Sequence, residues 1–270
     1  MFPRIGLMVL GGSLALLPIS AVPKEIAVAS VARIALSAPA PSECLSKHVI
    51  GDLSRRPLRI VRAIRGQRPV KVLAIGSSST VGVGASSPSA TYVARLEPTL
   101  EGALKGTDFD VVGRGRSGEV AQGAADRMKK EVEDIKPDLI VWQVGTNDAL
   151  RHVSIDAFKN CLKKTLAWVA DNKIDVVLVN PQYGDALTKD QYYEEVVKAI
   201  SEVARDSGVA LVDRFEAMRE LQKEHADTIY LSTDNLHMND VGHRCMAEQL
   251  ARAIVGGLIE ADADQVQSVF

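Results

Sequence analysis

The chain has 270 residues, enough for one well-buried core, and no break in composition divides it into two. Its 32 Lys and Arg against 34 Asp and Glu leave a net charge of −2, which gives no field to attract a polyanion and argues against nucleic acid as a partner. A hydrophobic content of 46% with 24% charged residues is that of an ordinary globular protein.

The chain opens on Ile5 to Val22, IGLMVLGGSLALLPISAV, which carries no charge, follows Arg4 and ends in small residues before Lys24. Residues 1–22 read as an export signal. The run is near the length of a membrane span, so a retained N-terminal anchor with peripheral membrane association is the alternative. Either reading puts the globular part outside the cytoplasm, periplasmic or secreted. Residues 23–68 begin as a tether rich in Ala, Ser and Pro. From Leu53 to Gly66, apolar residues interleave with Arg55, Arg56, Arg59, Arg62 and Arg65, as in a short amphipathic helix broken near Pro57. Such a stripe is ordinarily a solvated face, with anionic-surface binding as the alternative.

Beyond this point strands and helices alternate. Apolar runs at Val70 to Ile75, Phe109 to Val112, Leu139 to Val144, Val176 to Val179 and Val209 to Val212 are short and rich in β-branched residues. Helix-period stretches fill 91–105, 120–135, 155–171 and 189–206, with a last helix from Asp240 to Ile259. Buried strands alternating with helices predict an α/β fold with a parallel, doubly wound sheet covered on both faces. The domain is expected over 69–260, with 261–270 as a flexible tail.

In such folds ligands bind beyond the carboxyl ends of the strands. The loops there read GSSSTVGVGAS, GRGRSGE, GTNDALRH and NPQYGDALTKDQYY, with DRFEAMRE after the fifth strand. A serine between a strand and a helix faces the crevice beside free backbone N–H groups, but it needs a base to become a nucleophile. Ser77, Ser78 and Ser79 are all candidates, and a helix cap is the ordinary use of such serines. For the base, DNLHMNDVGH holds the Asp-x-x-His spacing twice, as Asp234/His237 and Asp240/His243. Asn239 or Asp240 can cap the last helix, which commits His243 to its first turn and leaves His237 on a loop with Asp234 to orient it. Asn147 in GTND and Gly115 in GRGRSG supply a side-chain amide and a backbone N–H for an oxyanion, although Asn, Asp and Gly are common in any turn.

Taken in order, GSSST at 76–80, GRGRSG at 113–118, GTND at 145–148 and DNLH at 234–237 resemble the four sequence blocks of the SGNH hydrolases, the GDSL-type esterases and lipases. The resemblance implies a three-layer, flavodoxin-like α/β/α sandwich with a five-stranded parallel sheet of order 2-1-3-4-5. It implies a serine esterase with Ser78 as nucleophile, His237 as base and Asp234 behind it. The oxyanion hole would comprise Ser78, Gly115 and Asn147, with neither metal nor organic cofactor. Two departures are visible: Ser77 stands where the family usually has Asp, and Gly113 where an Asn often precedes the block-two glycine. The substrate expected is a small-molecule or polysaccharide ester, either an acetylated carbohydrate or a short-acyl or lipid ester. The loop from Asn180 to Tyr193 would shape the pocket, with Tyr183 as a substrate contact and Tyr192 and Tyr193 in helix packing.

Two readings compete. An inactive hydrolase fold that binds carbohydrate lacks aromatic platforms, having two Trp, five Tyr and five Phe. An NAD-binding oxidoreductase is suggested by the literal G-x-G-x-x-G of GRGRSG, but that fingerprint belongs on the first strand. The three cysteines, Cys44, Cys161 and Cys245, have no CxxC spacing and no histidine cluster, which disfavours zinc. In a 2-1-3-4-5 sheet Cys161 and Cys245 fall on opposite faces, so any disulfide must use Cys44.

Overall fold

The computed structural model describes Cys44 and residues 58–267, with side chains described through residue 258. The segment read as an export signal or anchor, the stretch read as a tether (Cys44 apart) and the part of the amphipathic stretch before Leu58 lie outside the described residues. Five strands form one sheet: β1 (Val70–Gly76), β2 (Phe109–Gly115), β3 (Leu139–Gln143), β4 (Asp175–Val179) and β5 (Ala210–Val212). All pair in parallel, in the order β2-β1-β3-β4-β5. This is the expected α/β topology, with the strand order reversing at β1 and β3.

Nine α-helices occur among the described residues, α1 (Leu58–Arg65), α2 (Ser78–Val81), α3 (Tyr92–Ala103), α4 (Ala121–Ile135), α5 (Thr146–Leu150), α6 (Ile155–Asp171), α7 (Gln191–Ser207), α8 (Arg214–Glu224) and α9 (Asp240–Gln267), with a short 3-10 turn at Pro88–Ala90. Successive strand residues point to opposite faces, so each strand feeds two cores. On one face Leu73, Ile75, Ile140, Trp142 and Leu178 pack under α4, α6 and α7. On the other, Val70, Val72, Ala74, Val141 and Val179 pack under α1, α3 and α9.

Parts of the sequence reading need amendment. The stretch after β5, read as a loop, is the helix α8, with Asp213 capping it by accepting from the Glu216 N–H at 3.1 Å. The final helix continues to Gln267, so the segment read as a flexible tail is helical through that residue. Of the basic stripe, Arg62 and Arg65 are exposed, as on a solvated face, while Arg59 Nη1 donates to the Asn172 carbonyl at 3.2 Å. Asp138 receives two hydrogen bonds from Arg68 at 2.7 Å, and Asp175 caps α1 through the Arg59 and Ile60 N–H groups at 2.9 Å. Among the described residues no helix is long and apolar enough to cross a membrane.

One disulfide joins Cys44 to Cys245, and Cys161 is free and buried. Cys161 lies in the α4/α6/α7 core and Cys245 on α9 across the sheet, which is the separation the topology required.

Candidate active site

The chain leaves the sheet at Gly76 and turns at once into α2. The three serines there receive different environments. Ser77 is buried, and both its N–H and its hydroxyl donate to Gln143 Oε1, at 3.0 and 3.1 Å. Ser79 is buried, and its Oγ accepts from the Arg214 guanidinium at 3.3 Å. Ser78 alone of the three is partly exposed. As the first residue of α2, it has an N–H with no acceptor inside the helix. The Asp-to-Ser departure at position 77 is thereby accounted for locally, because Gln143 on the neighbouring strand holds the small hydroxyl in place.

The histidine loop is tied tightly to one carboxylate. Asp234 Oδ2 pairs with His237 Nδ1 at 2.6 Å. Its Oδ1 accepts from Ser232 Oγ at 2.7 Å and from the Leu236 and His237 N–H groups at 2.9 Å. Burial pushes the Asp234 carboxyl up, but hydrogen bonds led by that from His237 outweigh it and hold the group well below the ordinary carboxylate range. Asn235 completes the turn at φ 56°, a left-handed conformation that Asn tolerates. With Nδ1 bound to Asp234, the remaining ring nitrogen Nε2 has no partner among the described residues.

This loop packs on the segment that follows the serine. Gly84, at φ 94°, lies so close that a β-carbon there would meet the Met238 carbonyl and approach His237 Cβ to 3.0 Å. No residue larger than glycine fits between the serine turn and the histidine.

His243 has the opposite fate. It is fully buried on α9, its Nδ1 accepts from the Tyr92 N–H at 3.2 Å, and its ring stacks on Tyr92. Burial, chiefly, lowers its pKa to about 4, so the ring is neutral. Asn239 is the cap that commits it there, accepting from the Val241 and Gly242 N–H groups at 3.0 Å.

Asn147 sits in α5, just past β3, and its Nδ2 donates to the Glu119 carbonyl at 3.0 Å. Its neighbour Asp148 is buried and accepts from the Ala121 N–H with both oxygens, at 3.0 and 3.1 Å, pinning the start of α4. Burial raises Asp148 to about 6 against these hydrogen bonds. Gly115 ends β2, and a β-carbon on it would strike the α2 backbone at Thr80 and Val81. Because the Arg116 N–H donates inward to Gly76 O at 2.9 Å, ladder alternation turns the Gly115 N–H outward, as it does those of Phe109 and Val111, which bond Glu101 and Glu97. That orientation is at odds with the expected use of Gly115 as an oxyanion donor. Gly118, three residues on, lies in a turn at φ 78° beside Glu119, whose carbonyl holds Asn147. The Gly118 N–H has no partner among the described residues. The signal for it was the last glycine of GRGRSG.

Tyr183 donates to Asp185 at 2.7 Å and sets its ring edge-on against Phe215 at 5.3 Å. Tyr192 stacks on His152, and Tyr193 is buried, donating to Gln182 O at 2.9 Å. Only Gly113 to Gly115 of the G-x-G-x-x-G run lie on a strand, and that strand is the sheet edge β2, not β1, where the dinucleotide fingerprint belongs. Among the described residues no group of three or more His, Cys, Asp or Glu side chains is placed to hold a metal ion.

A model of the non-GDSL lipase-like family matches residues 44–260. The chain belongs to the non-GDSL lipase-like family. Relatives include an acetylxylan esterase of Geobacillus stearothermophilus, 24% identical over 195 residues, covering 66% of this chain and 84% of the relative. An arylesterase of Vibrio mimicus is 26% identical over 199 residues, covering 70% and 90%. Among solved structures, TesA superimposes with a TM-score of 0.60 at 22% identity, covering 70% of this chain and 99% of that one. A two-domain esterase active on acetylated mannans gives 0.63 at 18% identity, covering 80% and 58%. The protein is an ester hydrolase of the SGNH type.

Proposed function

We propose that this family member is a serine esterase working through an acyl-serine intermediate, with Ser78 as nucleophile, His237 as base and Asp234 as the group that orients the base. His237 Nε2 takes the Ser78 proton as Oγ attacks the ester carbonyl. The tetrahedral oxyanion is met by the Ser78 N–H, the Asn147 amide and a backbone N–H of the second block. The outward turn of Gly115 and the free N–H of Gly118 beside Asn147 favour Gly118 for that third donor. Collapse breaks the C–O bond, the alcohol leaves with the proton from His237, and a water deprotonated by the same ring releases the acid.

The observation that carries this reading is the 2.6 Å pairing of His237 Nδ1 with Asp234 on a loop seated against Gly84, six residues past the one partly exposed serine of the turn. Support for an acetylated carbohydrate or short-acyl ester as substrate comes from the acetylxylan and acetyl-mannan esterases among the relatives. Tyr183, fixed by Asp185 and Phe215, is the proposed substrate contact. Export to the periplasm or beyond is supported by the Cys44–Cys245 bridge, since disulfides persist in oxidising compartments.

Ser78→Ala is expected to lower turnover of p-nitrophenyl acetate by about a thousandfold or more while leaving the fold intact. Wild-type turnover in that variant would overturn the assignment. Acetylated xylan, p-nitrophenyl esters of rising chain length and a lysophospholipid, assayed side by side, decide the substrate class.

A further inference from the structure

Arg214 opens α8 and is 1% exposed, yet among the described residues no carboxylate lies within ion-pairing distance of it. Its Nε donates to Asn180 O at 3.0 Å and its Nη2 to Gln182 Oε1 at 2.9 Å. Its Nη1 reaches Ser79 Oγ at 3.3 Å and the sulfurs of Met238 and Met246 at 3.6 Å each. Burial lowers its pKa to about 10, which leaves it charged at neutral pH. A buried cation paired only with neutral acceptors is costly, and an apolar side chain of similar length fills the same space without that penalty.

The places these contacts touch have something in common. Ser79 follows Ser78, and Met238 follows His237. Gln182, gripped by Arg214 through Oε1, accepts on the same oxygen from Thr146 Oγ1 at 3.0 Å, and Thr146 precedes Asn147. The other end of that amide, Nε2, donates to the Leu236 carbonyl at 2.7 Å, on the near side of His237. The guanidinium and one glutamine thus reach the chain neighbours of all three groups that must converge on an ester. They do so from the buried side, without touching the site.

We propose that Arg214 is a positioning residue for this esterase chemistry, a buried cation whose planar fork, with Gln182, holds the loops of Ser78, Asn147 and His237 in mutual register. The proposal rests on the acyl-serine reading above. A guanidinium suits the task because its donors are fixed in one plane, so the acceptors cannot shift independently. Misplacement of reacting groups by about 1 Å costs on the order of a hundredfold in rate.

The test uses the full chain with Arg214→Met, Arg214→Lys and Ser78→Ala, alongside Leu166→Ala, a cavity variant in the α6 core on the opposite face. Folding is followed by circular dichroism and Tm, and turnover with p-nitrophenyl acetate. Folded Arg214→Met is expected to lose about ten- to a hundredfold in kcat with KM held within about twofold, and Arg214→Lys to recover part of the loss. Leu166→Ala should lower Tm at least as far yet keep kcat within about twofold. A folded Arg214→Met with wild-type kcat, or a kcat loss that Leu166→Ala reproduces, overturns the proposal. If Arg214→Met does not fold, Gln182→Met carries the same test with the same two outcomes. An active Ser78→Ala removes the acyl-serine reading and this inference with it. An inactive Ser78→Ala beside a fully active Arg214→Met removes this inference alone.

Discussion

His237 and His243 are six positions apart, each three residues after an aspartate, and their surroundings make them chemically different residues. His237 is held by Asp234 with Nε2 free, whereas His243 is enclosed against Tyr92 and kept neutral. Asp148 is a second case in which environment overrides residue type, and it has a consequence for stability. Its folded-state pKa of about 6 lies above the ordinary 3.8, so the folded chain retains this proton longer than the unfolded chain does. Stability from this group is therefore full below about pH 4 and falls as pH rises from 3.8 to about 6, after which it is level. At 1% exposure the full difference is on the order of 3 kcal/mol. In Asp148→Asn the amide oxygen still accepts from Ala121 but does not titrate. Urea unfolding of both proteins from pH 3.5 to 7 should show the wild type losing about 3 kcal/mol relative to the variant. Parallel pH profiles would show that burial does not shift this carboxyl.

At the level of elements, the five strands and the long helices were legible because each is longer than its local ambiguities. Buried β-branched runs bounded by glycine cannot be confused with helices of 12 to 28 residues such as α3 and α9. The short pieces at the site were harder to read. α2 has four residues and α5 five, too few for any period to show. α8 has capping-box spacing at Asp213 and Glu216, but its eleven residues follow directly on a strand, where the same sequence also reads as a crevice loop. Within the site, the choice of Ser78 over its neighbours came from resemblance. The structure offers an independent physical reason, since Gln143 and Arg214 occupy the other two hydroxyls. Those partners lie on β3 and α8, far away in sequence, and no local pattern could announce them. The direction of the Gly115 N–H is set by the register of β2 against β1, which no local sequence pattern contains. The cap of α9, by contrast, was readable and is open to test. Asn239 caps through Oδ1 and also donates from Nδ2 to the Ile229 and Leu231 carbonyls, at 2.7 and 3.2 Å, on the strand-like arm leading to His237. Asn239→Ala should cost about 1–2 kcal/mol in urea unfolding and lower kcat, because it frees both the helix end and the arm. Asn239→Asp restores the cap but not the Nδ2 donor, so stability should return further than kcat. Equal recovery of both would mean the arm does not depend on that amide.

On the scale of the whole molecule, the sheet has two complete cores, and beside them sits a small third cluster of Cys44, Met218, Leu221, Tyr230 and Cys245. The disulfide within it joins residues 201 positions apart, tying chain that precedes β1 to the helix that closes the domain. Loop-closure entropy for a link of that span amounts to about 5 kcal/mol of stabilisation. None of the proposed catalytic groups lies in this cluster, so the bridge should govern stability rather than turnover. The double variant Cys44→Ser, Cys245→Ser is expected to lose Tm markedly and, assayed well below its own Tm, to keep kcat. The pairing itself can be counted. The chain has three cysteines, and burial pushes the free Cys161 thiol up to about 11, which disfavours the reactive thiolate at neutral pH. Ellman's reagent should therefore find no reactive thiol in the native protein, one in guanidinium without reductant and three after reduction. Three thiols in guanidinium alone would mean that the bridge does not form, and the case for an oxidising compartment would lose its structural support.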